Sequence, residues 1–141
     1  MKRIKIIIYS VLMFSITITY SQISKKSIAE TYYNNAKTIF EQNGDLGNAM
    51  ININKSIKLE PNNSNAYYIK GVIFQKKLEY SDALLNYKKA LQLNSKNYDA
   101  MTKCGIVYGK LNDMTNCCKY FNMACENGRE EACTILNKFC K

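Results

Sequence analysis

The sequence predicts an all-α chain, a solenoid of about three helical hairpins closed by a C-terminal capping helix. Three observations predict it: an ungapped internal period of 34 residues, an amphipathic segment after the last period, and six cysteines confined to positions 104–140.

The period shows in five columns. Tyr33, Tyr67 and Met101 stand 34 apart, as do Phe40, Phe74 and Tyr108; Ala49, Ala83 and Cys117; Ile53, Tyr87 and Phe121; and Ser56, Ala90 and Ala124. A fixed spacing of this length marks a repeat array, in which each unit buries its apolar face against its neighbours. Small residues facing each other across a hairpin, such as Gly71 and Ala83, let two helix backbones approach, and the aromatics fill the remaining space.

The elements follow in order. The chain opens on the basic run Met1-Lys2-Arg3-Ile4-Lys5, continues through an apolar stretch from Ile6 to Ile18, and reaches Thr19-Tyr20-Ser21-Gln22. That layout predicts a secretory signal peptide over 1–21, cleaved after Ser21, because the stretch is short for a spanning helix and polar side chains interrupt it. No cysteine near the cleavage point could take a lipid, so no stable membrane anchor is expected after cleavage. A lead-in follows over 22–29. Helices are predicted at 28–43, 47–59, 64–77, 81–93, 98–110 and 114–126, forming units 30–63, 64–97 and 98–131. Ser27 with Glu30 suits a capping box for the first, Asn43-Gly44-Asp45 its turn, and Ser81-Asp82 the start of the fourth. Gly128 suits a C-cap. A seventh helix over 129–141 then carries Ala132, Ile135, Leu136 and Phe139 on one stripe, and Glu130, Glu131, Thr134, Asn137 and Lys138 on the other side.

The middle unit carries Tyr67, Lys70-Gly71, Phe74, Ala83, Tyr87 and Ala90, and the first carries Pro61. In these slots the chain resembles the tetratricopeptide repeat family, whose signature is W-x2-L-G-x2-Y, then A-x3-F, then P. The resemblance covers residues 30–131 and implies a right-handed α-solenoid that binds proteins. The sequence departs from the signature at Ala36-Lys37, at Cys104 and Cys117, and at Arg129, which stands where proline is usual.

Six cysteines in an exported chain of this size point to disulfides. Cys118 and Cys125 are seven apart on the sixth helix, and Cys133 and Cys140 are seven apart on the seventh. In an antiparallel hairpin, facing residues are equidistant from the turn, so Cys125–Cys133 and Cys118–Cys140 are both centred on Arg129. The remaining Cys104–Cys117 pair is centred near the turn between the fifth and sixth helices. The segment Ala124-Cys125-Glu126-Asn127-Gly128-Arg129-Glu130-Glu131-Ala132-Cys133 resembles the Sel1-like, cysteine-rich relatives of the family, in which such a pair ties one unit to the next helix. A zinc site or a redox pair would favour Cys-x2-Cys, which the chain lacks. No metal or cofactor is expected.

In a stacked array the first helix of each unit lines the concave face. The candidate contact residues are Asn34, Asn35, Thr38, Tyr68, Ile69, Val72, Lys76, Lys103, Ile106 and Lys110, with Thr31, Gln42, Asn65, Asp99 and Thr102 on the same faces. An apolar middle with an aromatic anchor and a polar rim suits an extended peptide or a helix. Relatives that grip C-terminal carboxylates use a Lys, Arg and Asn set, and of the matching slots Asn34, Thr38, Ile69, Lys103 and Asp99, only Lys103 is a cation.

The chain has no histidine, which removes every imidazole-dependent triad or metal site. Its carboxylates fall at helix starts, turns and exposed faces, so no enzyme is expected. The formal charge of +9 includes three cations of the leader, and the rest are scattered without a basic run, so no nucleic-acid partner is expected. The expectation is therefore an exported scaffold, periplasmic or secreted, that binds a peptide or helix in its concave groove. The alternative is a Sel1-like secreted protein with an enzymatic or thiol-redox activity.

Overall fold

Hairpins form where a residue able to cap a helix follows a residue able to turn the backbone left-handed. The computed structural model describes residues 2–140, with side chains from 13 to 42 and from 44 to 140. Among the described residues these signals delimit seven helices: α1 (Lys2–Asn43), α2 (Leu46–Leu59), α3 (Ser64–Lys76), α4 (Tyr80–Leu93), α5 (Tyr98–Lys110), α6 (Met114–Glu126) and α7 (Glu130–Phe139). Each packs on the next, and the first helices of successive units, α1, α3 and α5, also touch each other.

The repeat is visible in the turns. Gly44, Leu78 and Asn112, each 34 apart, all have positive φ, at 64°, 64° and 60°. The residue after each is acidic and heads the second helix of its hairpin. Asp45 accepts from the amide of Asn48 and Asp113 from that of Asn116, both at 3.0 Å. Asn63 and Asn97 cap α3 and α5 in the same way, through the amides of Ala66 and Ala100. These bonds occupy first-turn amides that have no partner inside the helix.

Two expected starts are corrected. α1 runs unbroken through the expected leader and lead-in, so Ser27 is interior to it and its carbonyl accepts from Thr31 Oγ1 at 3.1 Å. With helix on both sides of Ser27, no free first-turn amides exist for a Ser27–Glu30 box to satisfy. α4 begins at Tyr80 with Glu79 as its N-cap, which places Ser81 and Asp82 in the first turn. Of the expected leader, Met1 lies outside the described residues, as do the side chains up to residue 12. Among the described residues no helix is long and apolar enough to cross a membrane.

The core has two parts. Ala36, Ala49, Ile53, Ala66, Ile69 and Ile73 form the N-terminal one, and a larger one runs from Ala83 to Ala132 through Tyr87, Cys104, Val107 and Phe121. The three columns on the second helices are buried in every unit: Ala49, Ala83 and Cys117; Ile53, Tyr87 and Phe121; Ser56, Ala90 and Ala124. Tyr68 packs against both parts.

A polar hook ties the start of α3 and the end of α4 to the N-cap of α5. Asn97 Nδ2 donates to Ser64 Oγ at 2.9 Å, and Ser64 Oγ donates to the carbonyl of Ala90 at 2.8 Å.

In the last hairpin Cys118 is bonded to Cys140 and Cys125 to Cys133. The expected Cys104–Cys117 bond is corrected: both are buried free thiols. The register of the α5–α6 hairpin explains it, since a Cβ on Gly105 would meet Phe121 and one on Gly109 would meet Cys117. Cys104 therefore lies five residues, about 7.5 Å of helix, from the position opposite Cys117. Burial pushes the Cys104 thiol up to about 12, and burial likewise raises that of Cys117. Phe139, expected on the apolar stripe of α7, is 58% exposed.

Candidate functional site

Two adjoining clefts lie along the face made by α1, α3 and α5, and they share Tyr68 and Asp99. The first, of about 390 Å³, is walled by Tyr33, Lys37, Phe40 and Glu41 of α1 and by Asn65, Tyr68, Ile69 and Val72 of α3. Asn97 and Asp99 close it. The second, of about 550 Å³, is walled by Tyr68, by Thr102, Lys103 and Ile106 of α5, and by Gly128 to Glu131 at the start of α7.

Tyr68 stands at the junction of the two. Its ring centroid lies 5.9 Å from that of Tyr87, and burial raises its hydroxyl pKa, with Asp99 adding in the same direction. The ring is thus half anchored in the core and half available. Asp99 is exposed and accepts from Arg129 at 2.6 Å, while the guanidinium sits 6.0 Å from the centroid of Tyr98. That ion pair joins α7 to α5 across the second cleft. With both partners exposed, at 44% and 60%, it contributes little stability, on the order of 0–1 kcal/mol.

The predicted contact residues divide into three groups. Tyr68, Val72, Lys103 and Ile106 line the clefts and are partly exposed. Ile69 also borders the first cleft but is only 7% exposed, so its side chain belongs chiefly to the core. Asn34, Asn35, Thr38, Lys76 and Lys110 are exposed, and neither cleft includes them. On α1 the difference is one of helical phase: Tyr33, Lys37, Phe40 and Glu41 border the cleft, while Asn34 and Thr38 lie about 100° further round than Tyr33 and Lys37, and Asn35 about 200° from Tyr33. Lys76 and Lys110 are the last residues of α3 and α5, beyond the cleft floors.

Sequence reasoning missed the α1 wall because Tyr33 and Phe40 fall in columns that read as core. It also missed the α7 wall. Arg129 in the place of the usual proline was the available signal.

The apolar floor of Tyr33, Phe40, Tyr68, Val72 and Ile106 is flanked by cations and carboxylates within reach of a peptide backbone or side chain.

Residues 29–63 match the family model for the tetratricopeptide repeat. Among solved structures, MamA superposes with a TM-score of 0.69 at 23% identity, over 76% of this chain and 62% of that one. The N-terminal domain of stress-induced protein-1 (STI-1) from C. elegans gives 0.74 at 18% identity, over 83% of this chain and 98% of that one. The first TPR of Spaghetti (RPAP3), bound to the HSP90 peptide SRMEEVD, gives 0.76 at 18% identity, over 82% and 92%.

The fold is the tetratricopeptide-repeat solenoid. The three hairpins, α1–α2, α3–α4 and α5–α6, are its units, and α7 caps the last. This repeat array spans less than two thirds of MamA. No curated protein matches the sequence.

Proposed function

We propose that the protein is an exported, non-enzymatic scaffold that holds an extended peptide or a helix of a partner protein in the two joined clefts. The observation that carries this reading is the position of Tyr68. It is an aromatic side chain shared by both clefts, seated on Tyr87 and still partly open, as a binding anchor needs to be. The TPR of Spaghetti supports the peptide class, since that protein was solved with a peptide bound.

The acidic sequence of that peptide does not transfer. Asp99, Glu130 and Glu131 line the second cleft beside Lys103 and Arg129, so it is mixed in charge and not a cationic clamp for carboxylates. Export rests on the N-terminal sequence pattern, with the two disulfides of the last hairpin in keeping with an oxidising compartment. The Cys125–Cys133 bond, which ties α6 to α7, supports grouping the last unit with Sel1-like relatives. A thiol-redox activity gains no support from Cys104 and Cys117, because burial raises both thiols away from the reactive thiolate.

The test is selection of a displayed library of random dodecapeptides on the protein, repeated with Tyr68→Ala and Lys103→Glu. Peptides lost by both variants, with helicity and melting temperature retained, support the groove. Peptides bound equally by all three proteins refute it.

A further inference from the structure

We propose that the first turn of α7 is a working wall of the peptide groove, and that reducing the two disulfides that seat α7 opens the groove and releases what it holds. This rests on the reading of the joined clefts as the contact surface, and it adds to that reading what controls it.

Without its covalent bonds α7 is weakly held. It has ten residues, a length at which an isolated helix is marginal in water. Of its side chains only Ala132 is fully buried, with Ile135 and Leu136 partly covered against α6. Among the described residues its one ion pair is the exposed Arg129–Asp99 contact. The bonds Cys125–Cys133 and Cys118–Cys140 fix it near its start and just past its end.

Yet this lightly packed helix contributes Arg129, Glu130 and Glu131 to the second cleft, and through Arg129 it holds Asp99, which borders both.

The bonds are within reach of a reductant. All four bonded cysteines are partly exposed, and Cys118 and Cys140 line an open cleft of about 740 Å³ beside Lys119. A dithiol supplies the electrons. Its first thiolate attacks one sulfur of the bond, forming a mixed disulfide and expelling the other sulfur as a thiolate. Its second thiolate then displaces the remaining protein sulfur. Each protein bond yields two cysteine thiols, which take up the two protons of the dithiol, and the dithiol leaves as a cyclic disulfide.

The probe is a dodecapeptide selected on the oxidised protein whose binding Tyr68→Ala abolishes. With dithiothreitol the expected result is a loss of affinity of about tenfold or more, with the helical circular-dichroism signal largely kept. In the oxidised protein Arg129→Ala and Glu131→Lys are each expected to change affinity several-fold. Where reduction unfolds the whole chain, those two surface variants decide the matter. Equal binding by the oxidised parent and both variants overturns the proposal while leaving the groove in place. If no Tyr68-dependent peptide emerges, the groove reading and this inference fall together.

Discussion

The ring of Tyr87 occupies the space in which a Cβ on Gly71 would have to sit: such an atom would lie 2.6 Å from both Cδ1 and Cε1 of the ring. Tyr87 is fully buried and its hydroxyl donates to Gln75 Oε1 at 2.7 Å, so the ring has little room to move. Gly71→Ala is expected to destabilise the protein by about 1–3 kcal/mol, despite the roughly 1 kcal/mol that alanine gains over glycine inside a helix. At Gly105 the nearest Phe121 atoms would be 3.1 Å away, so Gly105→Ala should cost clearly less. Urea denaturation of the two variants checks the order, and equal effects would contradict the packing account.

Leu78 shares its turn position with Gly44 and Asn112, but it is a bulky residue held at φ 64° and left 69% exposed. Leucine in the left-handed region costs roughly 1–2 kcal/mol, whereas asparagine tolerates it better. Leu78→Asn is expected to stabilise the protein by about 0.5–1 kcal/mol. A lower melting temperature in this variant would show that the side chain makes contacts that outweigh the strain.

Ser56 stands where the other two units carry Ala90 and Ala124, and among the described residues its buried hydroxyl oxygen has no hydrogen-bond partner. Replacing an unsatisfied buried polar group with an apolar one of similar shape removes a desolvation cost of about 1–3 kcal/mol. Ser56→Ala should therefore raise stability by on the order of 1 kcal/mol. Thermal melts of the pair of proteins provide the check, and destabilisation would reveal a partner for the hydroxyl.

The thiol inventory separates sequence from structure most sharply. Unreduced protein in denaturant is expected to release two free thiols, Cys104 and Cys117, while the folded protein should resist alkylation because both are buried and raised. Peptide mapping should find 118–140 and 125–133 joined. An absence of free thiols would restore the third bond.

The difference at the cysteines shows what a repeat makes legible. Counting outward from Arg129, the residue after the left-handed Gly128, works for the last hairpin, and Cys125 with Cys133 and Cys118 with Cys140 follow from helix periodicity. For Cys104 and Cys117 the midpoint falls between Lys110 and Leu111, two to three residues before Asp113, on which the facing pairs Gly105–Phe121 and Gly109–Cys117 are centred. The columns gave the hairpins and most helix bounds for the same local reason. The acidic caps Asp45, Glu79 and Asp113 also recur every 34 residues and were readable, though Ser81-Asp82 looked the better local signal. The groove was only half legible. Tyr68, Val72, Lys103 and Ile106 follow from the phase of α3 and α5, but the α1 and α7 walls depend on how neighbouring helices stack.

The most direct measurement is a map of amide and side-chain chemical-shift changes when a selected Tyr68-dependent peptide is titrated into isotope-labelled protein. The account predicts changes concentrated on Tyr33, Phe40, Tyr68, Val72, Asp99, Lys103 and Ile106, reaching Arg129 to Glu131 at the start of α7. Changes centred instead on the exposed Ile51 of α2 and Leu85 of α4, with the clefts unperturbed, would contradict it.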